Sequence, residues 1–364
     1  MSKSRVTVKE LARLAGVSIG TVDRVLHGRG GVSEGTRSRI LSLVESRGYK
    51  PNVLARQLSL GKTWSFTVLL PRADQDSGYW SLCLEGINAA ARDLAAYSTH
   101  VEIVQFDRSD PEAYRRLLDG IIQAPGDGIL VAPVLPAILR EALDRLPPGF
   151  PYAFFDGSLE GCSPIFSIGQ DAFAAGLLAG RLLSLLCPGE GPLAVIAAHP
   201  EDRHIRARAA GFASWFEKGG TVTAGSGTVT ERQVLLCDCP RFDRPEECGK
   251  WLELLFREEP ELRGILVASA SGHLAGDWLA ARGRKAGVAL LSWDLVPHNL
   301  RALREGILDC VISQRPAEQG REGLERLYKA LVHGQPGGAE MVSSEIFLKE
   351  NLPPEAASTA RGEG

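Results

Sequence analysis

Two series of short apolar runs, separated by stretches of helical spacing, constrain most of this chain. The first series is Phe66–Leu70, Val101–Val104, Gly128–Val131 and Tyr152–Phe155, with helical patterning near 82–96, 111–123 and 136–145. The second is Leu193–Ile196, the weaker Thr221–Thr223, Gly264–Val267 and Val288–Leu291, with helical patterning near 173–186, 207–217, 246–257 and 273–282. Apolar runs of this length suit strands buried on both faces, and parallel strands need a crossover, usually a helix, between them. Two such series predict two α/β lobes of doubly wound parallel sheet. Ligands bind such sheets beyond the carboxyl ends of the strands, so a cleft is expected between the lobes.

The first 63 residues follow a different pattern. They hold 12 Lys and Arg against 4 Asp and Glu, a balance of +8, while the remainder holds 29 against 40, or −11; together these give the chain's −3. A compact basic segment ahead of an acidic body points to a polyanionic partner. Thr7 and Glu10 form a capping box for a helix to about Leu14, and Gly16 breaks it. Ser18 caps a second helix, about Ile19–Leu26, and Ser33 a third, about Glu34–Arg47, with Ile40, Leu41, Leu43 and Val44 as its buried face. Ala12, Gly16 and Val22 carry the logic of a helix-turn-helix: close crossing, tight turn and apolar plug. Pro51 stops any helix before it, and Asn52 can cap a short segment to Leu58.

From Val8 through Leu58 the chain resembles the headpiece and hinge of the lac/gal repressor family. The matching residues include Val17-Ser18, Thr21-Val22, Arg24-Val25-Leu26, Val32-Ser33, Thr36-Arg37, Gly48-Tyr49, Pro51-Asn52 and Ala55-Arg56-Gln57-Leu58. The resemblance implies an all-α DNA-binding headpiece (1–50), a hinge helix and linker (51–63), a two-lobed effector and dimerisation body like the periplasmic binding proteins (64–350) and a flexible tail (351–364). It implies that the second helix enters the major groove, and that Leu58 wedges into the minor groove with Asn52, Ala55 and Arg56 in register. Thr7, Ser18, Thr21, Ser33 and Arg37 are expected on phosphates, and Arg24 and Arg29 on bases. Where the family carries polar residues, this chain has Ile19 and Gly20, which offer only methyl contact and close approach. Asp23 replaces the usual serine.

The same resemblance extends over the body. It implies effector contacts from Asp76, Tyr79 and Trp80 after the first strand, from Asp156 after Phe154-Phe155, and from Arg208 three before Gly211-Phe212. It adds Asp294 after Trp293, Gln314 within Ile312–Pro316, and Gln170 at the first crossing between lobes. Ala268-Ser269-Ala270 departs from the family's Ala-Asn-Asp and leaves Ser269 as the contact there. Carboxylates, an amide and a guanidinium beside aromatic rings suit a polyol. The effector expected is a sugar or sugar derivative; a phosphorylated metabolite or a partner protein is the alternative, since Arg208 serves anions as well.

Other classes fit less well. No nucleophile elbow, P-loop, Gly-x-Gly-x-x-Gly after a strand or metal-spaced histidine pair occurs, so no catalysis, cofactor or metal is expected. The seven cysteines are irregularly spaced, and Cys237, Cys239 and Cys248 lack a fourth zinc ligand nearby. No secretory signal or membrane span is expected, which argues against a solute-binding protein and places the chain in the cytoplasm. The expectation is a repressor of a carbohydrate operon, binding double-stranded operator DNA as a homodimer without a C-terminal tetramer bundle.

Overall fold

The computed structural model describes residues 6, 8–26, 30–47, 62–188, 190–217, 232–335 and 338–352. They fall into two compact units, Met1–Thr63 and Trp64–Gly364. Thr7, Arg29, Asn52, Ala55, Arg56, Leu58, the hinge segment to residue 61, residues 353–364 of the tail and the run Thr221–Thr223 lie outside the described residues.

Among its described residues the first unit has three helices: α1 (Val8–Ala15), α2 (Ile19–Leu26) and α3 (Glu34–Ser46). Gly16 takes the left-handed backbone, φ +63°, that stops α1. Thr21 N–H donates to Ser18 Oγ at 3.1 Å and starts α2. Leu11, Ala12, Ala15, Val22, Val25 and Ile40 form the core. Two expectations fail on α3. Leu41 is 48% exposed, because it falls off the stripe that Ile40, Leu43 and Val44 turn inward. Ser33 occupies the cap position, but its hydroxyl donates to Thr36 Oγ1 (2.9 Å) and caps no backbone N–H.

Among its described residues the second unit holds two six-stranded sheets. The strands are β1 (Trp64–Pro71), β2 (Thr99–Phe106), β3 (Gly128–Val131), β4 (Tyr152–Phe155), β5 (Ser167–Gln170), β6 (Leu193–Ala197), β7 (Val234–Asp238), β8 (Gly264–Val267), β9 (Ala289–Trp293), β10 (Cys310–Ser313), β11 (Glu340–Val342) and β12 (Glu345–Phe347). Their orders are β11-β5-β4-β3-β1-β2 and β12-β10-β9-β8-β6-β7. Every pairing is parallel except β10 with β12. The body helices are α4 (Tyr79–Ala95), α5 (Pro111–Gln123), α6 (Pro136–Leu143), α7 (Ala172–Leu186), α8 (Arg203–Glu217), α9 (Pro245–Glu258), α10 (Gly272–Ala281), α11 (Pro297–Arg304) and α12 (Pro316–His333).

The chain crosses between lobes three times: β5 to α7, β10 to α12 and β11 to β12. The late helix α12 therefore returns to the first lobe and packs on α4. There a Cβ on Gly86 would stand 1.7 Å from Ala317 O, so only glycine lets the two backbones approach. In the second lobe α7 and α8 cross the same way, and a Cβ on Gly176 would meet Arg208 O at 2.2 Å. No helix among the described residues is long and apolar enough to cross a membrane.

Candidate effector cleft and DNA-facing helix

The inner cavity of the body is built from residues that follow strands. Asp76, Tyr79 and Trp80 come after β1, Asp156 after β4, His199 and Asp202 after β6, Ser269 after β8, Asp294 after β9 and Gln314 after β10. Arg208 reaches in from α8. All parallel strands point their carboxyl ends at one place, so this is where the topology gathers side chains. Asp76, Asp156 and Asp294 all have positive φ, at 52°, 65° and 56°. Aspartate tolerates this backbone better than most residues, and such strain concentrates at functional sites.

Of the nine residues expected to touch an effector, eight line this cavity. Gln170 stands at its edge: its Oε1 accepts from Trp293 Nε1 (3.2 Å) and Arg208 Nη2 (3.4 Å), and its Nε2 donates to Ser344 Oγ (2.8 Å). Arg208 is held on three sides. It donates to Ala268 O (3.0 Å) and Gln314 Oε1 (2.8 Å), and its guanidinium lies 4.3 Å over the Trp293 ring. Asp294 accepts from Gln314 N–H (3.0 Å) and Gln314 Nε2 (3.0 Å). Tyr79 OH donates to Asp156, and Trp80 Nε1 donates to Asp76 Oδ2 at 2.7 Å. Both rings are buried.

The sequence reading missed a cluster of charge across the lobes. Arg108, which follows β2, donates to Asp76 Oδ2 (2.6 Å) in its own lobe and to Asp202 Oδ2 (2.8 Å) in the other. His199 Nε2 lies 3.2 Å from Asp76 Oδ1, and Ser77 Oγ lies 2.9 Å from Ser271 Oγ, again across the cleft. Arg108 and His199 each stand within two residues of an apolar run, in Phe106-Asp107-Arg108 and Ala197-Ala198-His199. That position was the available signal.

Burial and pairing set the charges. Burial pushes the Asp156 carboxyl up to about 7, against the Tyr79 hydrogen bond and the Arg208 charge. Burial also raises Asp294, with Arg208 and the Gln314 donors opposing it. At Asp76 burial acts upward, but His199 and Arg108 outweigh it and hold the carboxyl below its ordinary value. At His199 burial acts downward, yet Asp76 and Glu201 win and raise the imidazole to about 9.

Around this cavity Arg208 Nε and Ser269 Oγ are buried without a protein hydrogen-bond partner, and Asp76 Oδ1 and His199 Nε2 face only each other. Buried polar groups are nearly always satisfied, so such a concentration marks a place for a polar guest. Among the described residues, Asp76, His199 and Asp243 bring metal-ligand atoms within 4.8 Å of one another. The Arg108 guanidinium already supplies positive charge to Asp76 there. The seven cysteines are free thiols.

In the first unit, Ser18, Ile19, Gly20 and Arg24 are exposed on α2, while Val22 and Val25 turn inward. Ile19 is 51% exposed. Thr21 and Arg37 are half-buried and Ser33 is exposed.

Comparison with known proteins agrees with both units. Residues 7–52 match the family described as bacterial regulatory proteins, lacI family. Residues 66–336 match the family described as periplasmic binding protein domain. The chain is 25% identical over 362 residues to the HTH-type transcriptional regulator RafR of Escherichia coli, covering 94% of this chain and 97% of that one. It is 32% identical over 125 residues to catabolite control protein A of Streptococcus mutans, covering 32% of this chain and 36% of that one. Among solved structures, GanP, a glucose-galactose binding protein from Geobacillus stearothermophilus, superposes with a TM-score of 0.69 at 18% identity, over 80% of this chain and all of that one. At that identity the likeness is one of fold.

Proposed function

The chain belongs to the lacI family of bacterial transcription regulators, with a periplasmic-binding-protein domain as its body, and on that premise we propose that the body senses a neutral carbohydrate. The observation that carries this reading is the shared cavity of Asp76, Asp156, Arg208, Ser269 and Asp294, with its unpartnered buried polar atoms. Carboxylates accept from vicinal hydroxyls, Arg208 donates, and Ser269 does either. The cavity gathers aspartates 76, 156, 202 and 294 with Arg108, Arg208 and the His199 imidazole, whose pairing raises it to about 9. These charges nearly cancel, so no surplus positive charge is left to hold a phosphorylated effector in a buried site.

The protein binds operator DNA through α2, as a homodimer on a near-palindromic site. Arg24 reads bases, with Arg29 as a second reader; Ile19 and Gly20 allow close approach; Thr7, Ser18, Thr21, Ser33 and Arg37 position phosphates. Asn52, Ala55, Arg56 and Leu58 supply the minor-groove hinge. The effector changes the lobe arrangement and so the operator affinity, by a coupling of about 1–3 kcal/mol. Repression of a carbohydrate operon in the cytoplasm, relieved by its sugar, is the biological role this supports.

The test is thermal unfolding of the whole protein against pentoses, hexoses, amino sugars and their disaccharides. A ligand at about 100 times its Kd adds about 2.7 kcal/mol. The expected hit is weakened by Ser269→Ala, which removes an unpartnered hydroxyl without disturbing packing, and it changes operator binding measured by fluorescence anisotropy. A phosphorylated sugar that stabilises the protein where neutral sugars do not would overturn the reading.

A further inference from the structure

We propose that Asp76, His199 and Asp243 form a binding site for a divalent cation of the zinc type, which ties the two lobes together. The three residues follow β1, β6 and β7, where the carboxyl ends of the strands converge. Asp76 belongs to the first lobe; His199 and Asp243 belong to the second. Each offers one ligand atom, and the three atoms lie within 4.8 Å of one another. An imidazole nitrogen with two carboxylate oxygens suits zinc or its first-row neighbours better than magnesium or calcium, which prefer oxygen alone.

The surrounding hydrogen bonds leave these atoms over. Asp76 Oδ2 accepts from Trp80 Nε1 (2.7 Å) and Arg108 Nη1 (2.6 Å). Asp76 Oδ1 and His199 Nε2 are buried, stand 3.2 Å apart, and no well-aligned hydrogen bond joins them. Two ligand atoms, each about 2.1 Å from a zinc ion, stand about 3.0–3.4 Å apart for angles between octahedral and tetrahedral. Glu201 Oε1 lies 3.7 Å from His199 Nδ1, the far nitrogen, where ligating imidazoles commonly keep an orienting carboxylate. Asp243 is half-buried and, among the described residues, holds no hydrogen bond or ion pair, so its carboxylate is at liberty to turn to the same point.

Charge favours a cation as well. A ligating imidazole is neutral. The carboxylates at 76, 201, 202 and 243 then stand against Arg108, which bridges Asp76 and Asp202 across the cleft. A divalent charge brings that cluster close to neutrality. Three protein ligands leave a coordination position open to water or to a hydroxyl of the guest. The cation closes the lobes in parallel with Arg108, whatever the guest is.

The test is isothermal titration of metal-stripped, untagged full-length protein with zinc chloride, and with cobalt(II) as a spectroscopic probe. The expected result is about one zinc per chain, with magnesium and calcium bound at least about a hundredfold more weakly. His199→Gln and Asp243→Asn each weaken zinc by about tenfold or more, and Asp76→Asn does so from the other lobe. Asp243→Asn keeps the shape of a half-buried side chain and does not threaten folding. Cys237→Ser leaves the affinity within about twofold, and bound cobalt shows no thiolate charge-transfer band. Absence of zinc binding overturns the site. So does an affinity that survives Asp243→Asn and His199→Gln, or a thiolate band that Cys237→Ser removes, which would place the ion on the cysteines. Full affinity in Asp76→Asn places the ion within the second lobe and overturns the clasp. None of these outcomes touches the carbohydrate reading, which the sugar panel decides.

Discussion

The fourth strand of each lobe ends in a buried aspartate with left-handed backbone: Asp156 after β4 and Asp294 after β9. Their surroundings differ. Asp294 accepts two hydrogen bonds from Gln314, with Arg208 nearby. Asp156 accepts one from Tyr79, and its acidity falls until it titrates near neutrality. One backbone plan thus yields a supported carboxylate in one lobe and a poised one in the other. Topology fixes where a functional group stands; neighbouring donors fix what charge it carries there.

The glycine crossings give the largest test of this contrast. Gly86→Ala drives a methyl into Ala317 O in the first lobe, and Gly176→Ala drives one into Arg208 O in the second. Each is expected to destabilise by about 3 kcal/mol, the upper end for overpacking, read by denaturant unfolding. Gly176→Ala should also weaken effector binding, because the displaced backbone belongs to Arg208. Equal loss of binding in both variants would break the distinction. A smaller effect separates the aspartates. Asp294→Asn should cost about 1.5–3 kcal/mol through lost hydrogen bonds to a charged acceptor, and Asp156→Asn at pH 6 about 1 kcal/mol or less.

The smallest and sharpest test is pH. Asp156 binds its proton more tightly folded than unfolded, so stability falls as pH rises from about 4 to about 7. His199 is also raised on folding, so its contribution is complete below about 6.5 and lost as pH rises to about 9. Asp156→Asn should flatten the lower window and His199→Gln the upper one in urea titrations across pH. A variant that flattens the other's window would mean the two groups titrate as one unit.

Buried central strands were legible because both faces are covered and the residues run apolar without interruption. Others were not, although the edge strand β2 was. Val234–Asp238 alternates exposed and half-buried residues, with Leu236 59% exposed, and so lacks that run. The polar Ser167–Gln170 and the four-residue Cys310–Ser313 were read as motifs and not as strands. Helix α12 went unplaced because its partner α4 lies more than 200 residues earlier in the chain. The residues that line the inner cavity were legible through local patterns after strands. Arg108 and Asp202 were missed because their ion pair joins positions 94 apart, and no local pattern announces its partner. Leu41 was misjudged from composition alone, where the helical phase set by Ile40 decides.

The crossings between lobes have one further consequence. Gln170 closes the first crossing and bonds Ser344 of the third, while Gln314 opens the second, and both hold Arg208. In the effector reading proposed above, the residues that would hold the guest also stand at the crossings between the lobes. Potency and efficacy of an effector are written into the same side chains. A substitution at Gln170 or Gln314 that changes how tightly a sugar binds will also change how fully it switches the operator, and a dose–response curve will shift in both midpoint and plateau.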